Sequence, residues 1–239
     1  LSSPKVDQAI NLVKELIQSG QLRPGDRLPN EADLAAQLGV SRNSLREAVR
    51  AMQTMRILEA RQGDGTYVSD LDPAGMMDVL RFAVDVSDAR SVVWYLELRQ
   101  LLEVATVQEA AVRRSPAQLA ALKKLHREVL DENDSARLMA LDGAFHNLIA
   151  EIGSNPIQAA LLRIVSAPTV RARIWRQRLA DFDFQSIRSE HGMIVDAIEH
   201  QRVDEARHAM WTHVNQVIRW VRDNPDALAN AFANPTDTK

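Results

Sequence analysis

Asp142 and His146 stand four residues apart in Ser135 to Ile152, a stretch whose Leu138, Leu141, Phe145, Leu148 and Ile149 recur at helical spacing. A carboxylate and an imidazole at that spacing stack on one face, here on the flank of the apolar stripe. His191 falls inside the stripe marked by Ile187, Ile194 and Ile198, and His213 borders that of Ala206, Met210, Val217 and Val221. Three helices would then each send an imidazole toward one interior, with His200 and His208 on outward faces. His126 lies near apolar neighbours but has no acid four residues before it. Nitrogen and oxygen donors from facing helices suit a divalent transition metal such as zinc, nickel or manganese. They equally suit core-edge histidines that satisfy themselves with one hydrogen bond and bind nothing. A third reading has three imidazoles and a carboxylate activate water at an open coordination position, as a hydrolase would; no further general base stands out for it.

A second group of residues points to a polyanion. Arg42, Arg46 and Arg50 recur every four residues, with Asn43 beside them, and Leu45, Ala48, Val49 and Met52 form the adjoining apolar stripe. Arginines on a helix are often only its solvated side. The surroundings argue for more. Asn30 can cap a short helix with Asp33 in capping-box register, Gly39 stops it, and Ser41 caps the next, so Leu28 to Met55 reads as a helix-turn-helix with its cations at the start of the second helix. Ile57–Arg61 and Thr66–Ser69 then read as two short strands around Gln62-Gly63-Asp64-Gly65, a hairpin able to touch a neighbouring minor groove.

The elements that must position these groups fall into two sets. Residues 1–70 are expected to form a DNA-binding domain, with a first helix through Val6, Ala9, Val13 and Ile17 and a connection from Leu22 to Pro29. Residues 73–229 read as a bundle of seven to nine antiparallel helices, over Met76–Val86, Ser91–Arg113, Pro116–Leu130, Ser135–Ile152, Pro156–Val165, Val170–Leu179, Phe184–His200 and Val203–Arg222, and 230–239 as a disordered tail. The fold is expected to be mainly α. With 239 residues and 46% hydrophobic content the chain can bury two cores, and with no cysteine it excludes disulfides and thiolate zinc sites. No apolar run is long enough to span a bilayer and the start lacks a signal-peptide core, so a cytoplasmic protein with no membrane partner is expected. The net charge of -3 does not favour a nucleic acid, and residues 1–70 balance nine cations against nine acids. Local placement must supply the attraction: Arg42, Arg46, Arg50 and Arg56 in the recognition helix face one acid, Glu47.

Residues 6–69 resemble the winged helix-turn-helix of the GntR family of bacterial transcription regulators. The likeness is carried by Leu22-Arg23-Pro24-Gly25-Asp26-Arg27-Leu28-Pro29, Leu34-Ala35, Leu38-Gly39-Val40-Ser41-Arg42, Leu45-Arg46-Glu47-Ala48 and Gly63-Asp64-Gly65-Thr66-Tyr67-Val68. It implies DNA contacts at Arg42, Asn43, Arg46, Gln62 and Gly63, while Ala32 stands where many members carry an arginine. Residues 92–215 resemble the FCD effector domain of the FadR subgroup, through Glu97-Leu98-Arg99 with Glu103, Asp142 with Phe145-His146, Gly153-Ser154-Asn155-Pro156, and His191 through Ala197-Ile198 to His213. That likeness implies a metal on Asp142, His146, His191 and His213, and an effector carboxylate on Arg99; for Arg99 an ion pair with Glu103 in the core is the other reading. The expectation is a homodimeric repressor that binds a double-stranded operator and releases it to a small organic acid. An architectural DNA binder with an empty bundle stays open beside it.

Overall fold

Helix α1 (Pro4–Gln18) opens on Pro4, whose missing N–H costs nothing in a first turn, and buries Val6, Ala9 and Val13. Helix α2 (Glu31–Leu38) is capped by Asn30, whose side chain accepts from the Asp33 N–H at 2.9 Å, and ends at Gly39 with a left-handed φ of 65°. Ser41 accepts from the Ser44 N–H at 3.1 Å and opens α3 (Arg42–Thr54), which buries Leu45, Ala48, Val49 and Met52. The computed structural model describes residues 3–72, 77–85, 91–153, 155–166 and 184–226.

The exit of α3 departs from the sequence reading. Arg56 takes a φ of 56°, its N–H donates to Gln53 O at 3.0 Å, and the Ile57 N–H donates to Met52 O at 2.9 Å. This reciprocal pair is a Schellman turn with arginine where glycine is usual. Arg56 therefore lies beyond the recognition helix and leaves its face with Arg42, Arg46 and Arg50. Strands β1 (Leu58–Arg61) and β2 (Gly65–Val68) pair antiparallel with Leu58 opposite Val68 and Arg61 opposite Gly65, so the tip is Gln62-Gly63-Asp64 and Gly65 belongs to a strand. The approach from Leu22 to Pro29 is more than a connection. Gly25 N–H donates to Val68 O at 2.9 Å, Val68 N–H to Asp26 O at 2.9 Å, and Leu28 N–H to Thr66 O at 2.8 Å, which covers the free edge of β2. Ser69 closes the other end: its N–H donates to Ile57 O at 3.0 Å and its hydroxyl to Arg56 O at 2.7 Å.

The second set of described elements is helical throughout: α4 (Asp78–Asp85), α5 (Val92–Arg113), α6 (Pro116–Asp131), α7 (Ser135–Ile152), α8 (156–166), α9 (Phe184–Glu199) and α10 (Val203–Asp223). Ser115 and Gln118 form a reciprocal capping box at the start of α6, and Asp134 caps α7 by accepting from the Arg137 N–H at 2.9 Å. Helix α5 packs against α7, α9 and α10, and α6 against α7 and α9. The shared core includes Leu96, Val107, Leu122, Phe145, Ile149, Ile194, Met210 and Val217. At Gly153 a Cβ would come 3.1 Å from the Thr106 carbonyl oxygen, so the end of α7 approaches α5 at a distance that a side chain would obstruct. The expected helix over Val170–Leu179, the boundary at Pro73 and the tail 230–239 lie outside the described residues. The chain divides into Leu1–Asp78 and Val79–Lys239, and no described helix is long and apolar enough to cross a membrane.

Candidate metal centre and nucleic-acid interface

On α7 the buried face runs through Leu138, Asp142, Phe145, His146 and Ile149, with Leu141 and Leu148 only half-buried. The polar pair thus occupies the middle of the stripe rather than its flank. Helix α9 adds His191, stacked on Phe145 with ring centroids 4.1 Å apart, and α10 adds His213. Asp142, His146, His191 and His213 are all buried, and each offers a ligand atom within 4.8 Å of the others. His191 Nε2 lies 3.3 Å and His146 Nε2 3.7 Å from Asp142 Oδ1. His200 and His208 are exposed and His126 is half-buried, so the three histidines set apart in the sequence are the three brought together.

The protonation pattern tests whether a cation fits. His213 Nδ1 lies 2.7 Å from Glu190 Oε2, and His146 Nδ1 lies 2.7 Å from Glu103 Oε2, the latter contact poorly aligned for a hydrogen bond. A carboxylate behind Nδ1 draws the ring proton to that nitrogen and leaves Nε2 as a lone pair. The two Nε2 atoms face each other at 3.2 Å. Two lone pairs at that separation repel, so a proton or a cation must lie between them. Among the described residues neither ring nitrogen of His191 finds an aligned hydrogen-bond partner, although both are buried. An orphan of this kind calls for an explanation, and a metal ion gives one. Borderline nitrogen donors with one carboxylate fit a divalent transition ion.

Burial pushes the His191 imidazole down to about 3 and also lowers His213, despite their acidic neighbours. His146 moves the other way. Burial again opposes its charge, but the Glu103 carboxylate, with Asp142 adding to it, outweighs burial and raises the ring. Glu103 is held down at about 2, because Arg99 and His146 together overcome the burial that would raise it. Arg99 is only 2% exposed and its Nε donates to Glu103 Oε1. The core ion pair weighed in the sequence reading is thus present, at the back of the cluster. Glu190 escaped sequence reasoning. Its one available signal was a serine four residues earlier, Ser186, whose hydroxyl donates to Glu190 Oε1 at 2.7 Å.

The first unit presents Arg42, Asn43, Arg46 and Arg50 on the exposed side of α3, and Gln62 and Gly63 at the exposed hairpin tip. Arg46 Nε donates to Glu31 Oε2 at 3.0 Å, with the two side chains 51% and 45% exposed. An exposed pair of this kind contributes about 0–1 kcal/mol, less than the roughly 1–3 kcal/mol of a bidentate base contact, so a duplex can take Arg46 from Glu31. Arg61 lies over the Tyr67 ring at 3.9 Å, and the Tyr67 hydroxyl donates to Asp64 at 2.6 Å, which stiffens the hairpin behind its tip. A cleft of about 650 Å³ in this unit is lined by Arg27, Asn30, Glu31, Asp33 and Thr66. Its two carboxylates, Glu31 and Asp33, make it a poor host for an acid.

Residues 5–68 match the family described as bacterial regulatory proteins, gntR family, and residues 95–216 match the FCD domain. Over 207 residues the chain is 29% identical to the HTH-type transcriptional regulator LutR of Bacillus subtilis, covering 84% of this chain and 94% of that protein. It is 28% identical over 225 residues to the galactonate operon transcriptional repressor of Escherichia coli, covering 92% and 97%. The solved structure of Streptococcus agalactiae GntR superposes with a TM-score of 0.62 at 30% identity, covering 90% of this chain and 99% of that one. Matched both in its winged helix-turn-helix and in its helical unit, and aligned with transcription regulators over most of its length, the chain belongs to the GntR family and is a DNA-binding transcription regulator with an FCD domain, not an enzyme.

Proposed function

We propose that this regulator is a cytoplasmic homodimeric repressor of the FadR type, whose helical unit holds a divalent transition ion on Asp142, His146, His191 and His213 and senses a small organic acid there. The observation that carries this reading is the pair of imidazole Nε2 atoms facing each other at 3.2 Å beside a buried carboxylate and a third, unsatisfied histidine. A bound ion supplies a Lewis-acidic point for a carboxylate. Arg99, at the back of the same cluster, is the second cation that a carboxylate ligand would meet. A relative named for a galactonate operon supports an acid as the ligand class, galactonate being a hydroxy acid. Such a ligand acts only by binding the DNA-competent and DNA-incompetent arrangements with different affinities.

On the DNA side, Arg42, Asn43, Arg46 and Arg50 enter the major groove, while Gln62 and Gly63 reach the adjoining minor groove. The Arg46→Ala variant is expected to lose about 1–3 kcal/mol of operator affinity, with its zinc content unchanged. A loss below about 1 kcal/mol, measured by titration of a labelled operator at fixed salt, would remove Arg46 from the base readers.

Thermal unfolding of the full chain, with zinc and with chelator, against a panel of small carboxylates, tests the sensor. Zinc should raise the unfolding temperature by mass action, and an effector should raise it further only in the zinc-loaded protein. His191→Ala should lose the zinc response while still binding operator. Equal metal content in wild type and His191→Ala would overturn the ligand set.

A further inference from the structure

Two glutamates stand behind the proposed ion site, and neither belongs to its donor set. Glu190 precedes His191 on α9, so one turn of that helix carries a direct donor and, on the adjacent face, a carboxylate turned toward α10. Glu190 Oε2 meets His213 Nδ1 at 2.7 Å while Oε1 accepts the Ser186 hydroxyl at 2.7 Å, so both oxygens are engaged. Glu103, on α5, is placed in a similar way: one oxygen takes the Arg99 Nε and the other faces His146 Nδ1 at 2.7 Å, out of line for a hydrogen bond. Both carboxylates are buried and both are anchored from behind. Among the described residues His191 has no such glutamate behind it; it stacks on Phe145, with its Nε2 3.3 Å from Asp142 Oδ1.

We propose that Glu103 and Glu190 are positioning residues for the ion site, each holding the Nδ1–H of one imidazole so that His146 and His213 turn their Nε2 lone pairs toward a common point. A free imidazole divides its proton between two nitrogens and rotates about its side-chain bonds. A fixed acceptor behind the ring removes both freedoms and makes the ring a stronger donor. Within the cluster the two glutamate-backed histidines are the preset arms, and His191 is placed by Phe145 and by Asp142, 3.3 Å from its Nε2. The inference rests on the metal reading above and is separable from it.

The test uses the full-length protein, stripped with chelator and titrated with zinc against a competing chelator. Glu190 is the cleaner target, because its removal leaves the buried Arg99–Glu103 pair in place. The Glu190→Ala variant is expected to bind zinc about 10- to 100-fold more weakly than wild type. Glu190→Gln keeps an acceptor without its charge and should fall between the two, and Ser186→Ala should shift affinity in the same direction by less. Nitrogen-15 spectra of the histidine rings give a readout that packing would not move: His213 should carry its proton on Nδ1 in wild type and lose that preference in Glu190→Ala. If Glu190→Ala binds zinc within twofold of wild type and keeps the His213 tautomer, the positioning role is wrong while the ion site stands. If wild type itself binds no divalent ion, or His213→Ala binds zinc as well as wild type, the ion site and the positioning role fall together. Reduced thermal stability in Glu190→Ala with unchanged zinc affinity would assign the residue to folding alone and would equally overturn the proposal.

Discussion

Replacing Arg99 with methionine should destabilise the helical unit by about 3–5 kcal/mol, because Glu103 would be left charged in a site with almost no solvent. The change would propagate through one more contact, since the same carboxylate faces His146 Nδ1. A companion variant separates charge from volume. In chelated protein, Arg99→Met combined with Glu103→Leu removes both charges from the core and is expected to recover most of the loss, as apolar replacements of buried ion pairs commonly do. All four tryptophans, Trp94, Trp175, Trp211 and Trp220, fall in Val79–Lys239, so fluorescence during urea unfolding follows this unit without interference from the other. A loss below about 1 kcal/mol in the single variant would mean that water or another group already compensates Glu103.

Acid should act strongly on the same unit when no metal is present. His191 is held down at about 3 by burial, with His213 lowered for the same reason, so the folded protein keeps both rings neutral where the unfolded chain takes up protons. Stability then falls as pH drops below about 6.5, the ordinary histidine value. His146 works in the opposite sense, since its raised value favours the folded state below that pH and its contribution is lost on moving up through the folded value. Glu103, held at about 2, adds stability above the usual carboxylate range and loses it progressively as pH falls from that range toward about 2. His191 alone accounts for roughly 3 kcal/mol between pH 6.5 and pH 4, so a net loss is expected across that window after His146 offsets part of it. Urea midpoints at neutral, mildly acidic and acidic pH, read by the same fluorescence with chelator throughout, measure this directly. The His191→Phe variant keeps an aromatic ring against Phe145 and should flatten the dependence. A pH-independent wild type would contradict the burial of neutral imidazoles.

Much of this was legible in the sequence, and the exceptions have physical causes. Helical periodicity located Ser135–Ile152 at the bounds that α7 occupies, because a helix buries one face whatever it packs against. The four clustered residues could be picked out because each sits in or beside an apolar stripe, an uncommon place for a titratable group. Its centring on the face of α7 was missed: a wheel treats leucines as core and polar groups as margin, whereas tertiary packing buried Asp142 and His146 and left Leu141 half-buried. Glu190 was illegible for a related reason. A glutamate on a helix reads as solvated, and only the docking of α9 on α10 brings it to His213. Arg56 went wrong because a left-handed turn at a non-glycine residue leaves no mark in composition. The edge pairing of Gly25 to Leu28 was hidden by two prolines and a glycine, which ordinarily signal a loop.

The Ser69 clamp has a consequence for regulation. Strand and helix ends are joined through Arg56 and Ile57 on one side, and the far strand edge is covered on the other. Hairpin tip and arginine face are thereby welded into a single tool whose grip is shaped before any nucleic acid arrives. On the proposed reading, an effector bound in the helical unit of a dimer would tilt that tool or change its distance from a twin. Such a change would leave its base preference alone, so operators recovered with and without the proposed effector should share the same half-site letters and differ only in occupancy or gap length.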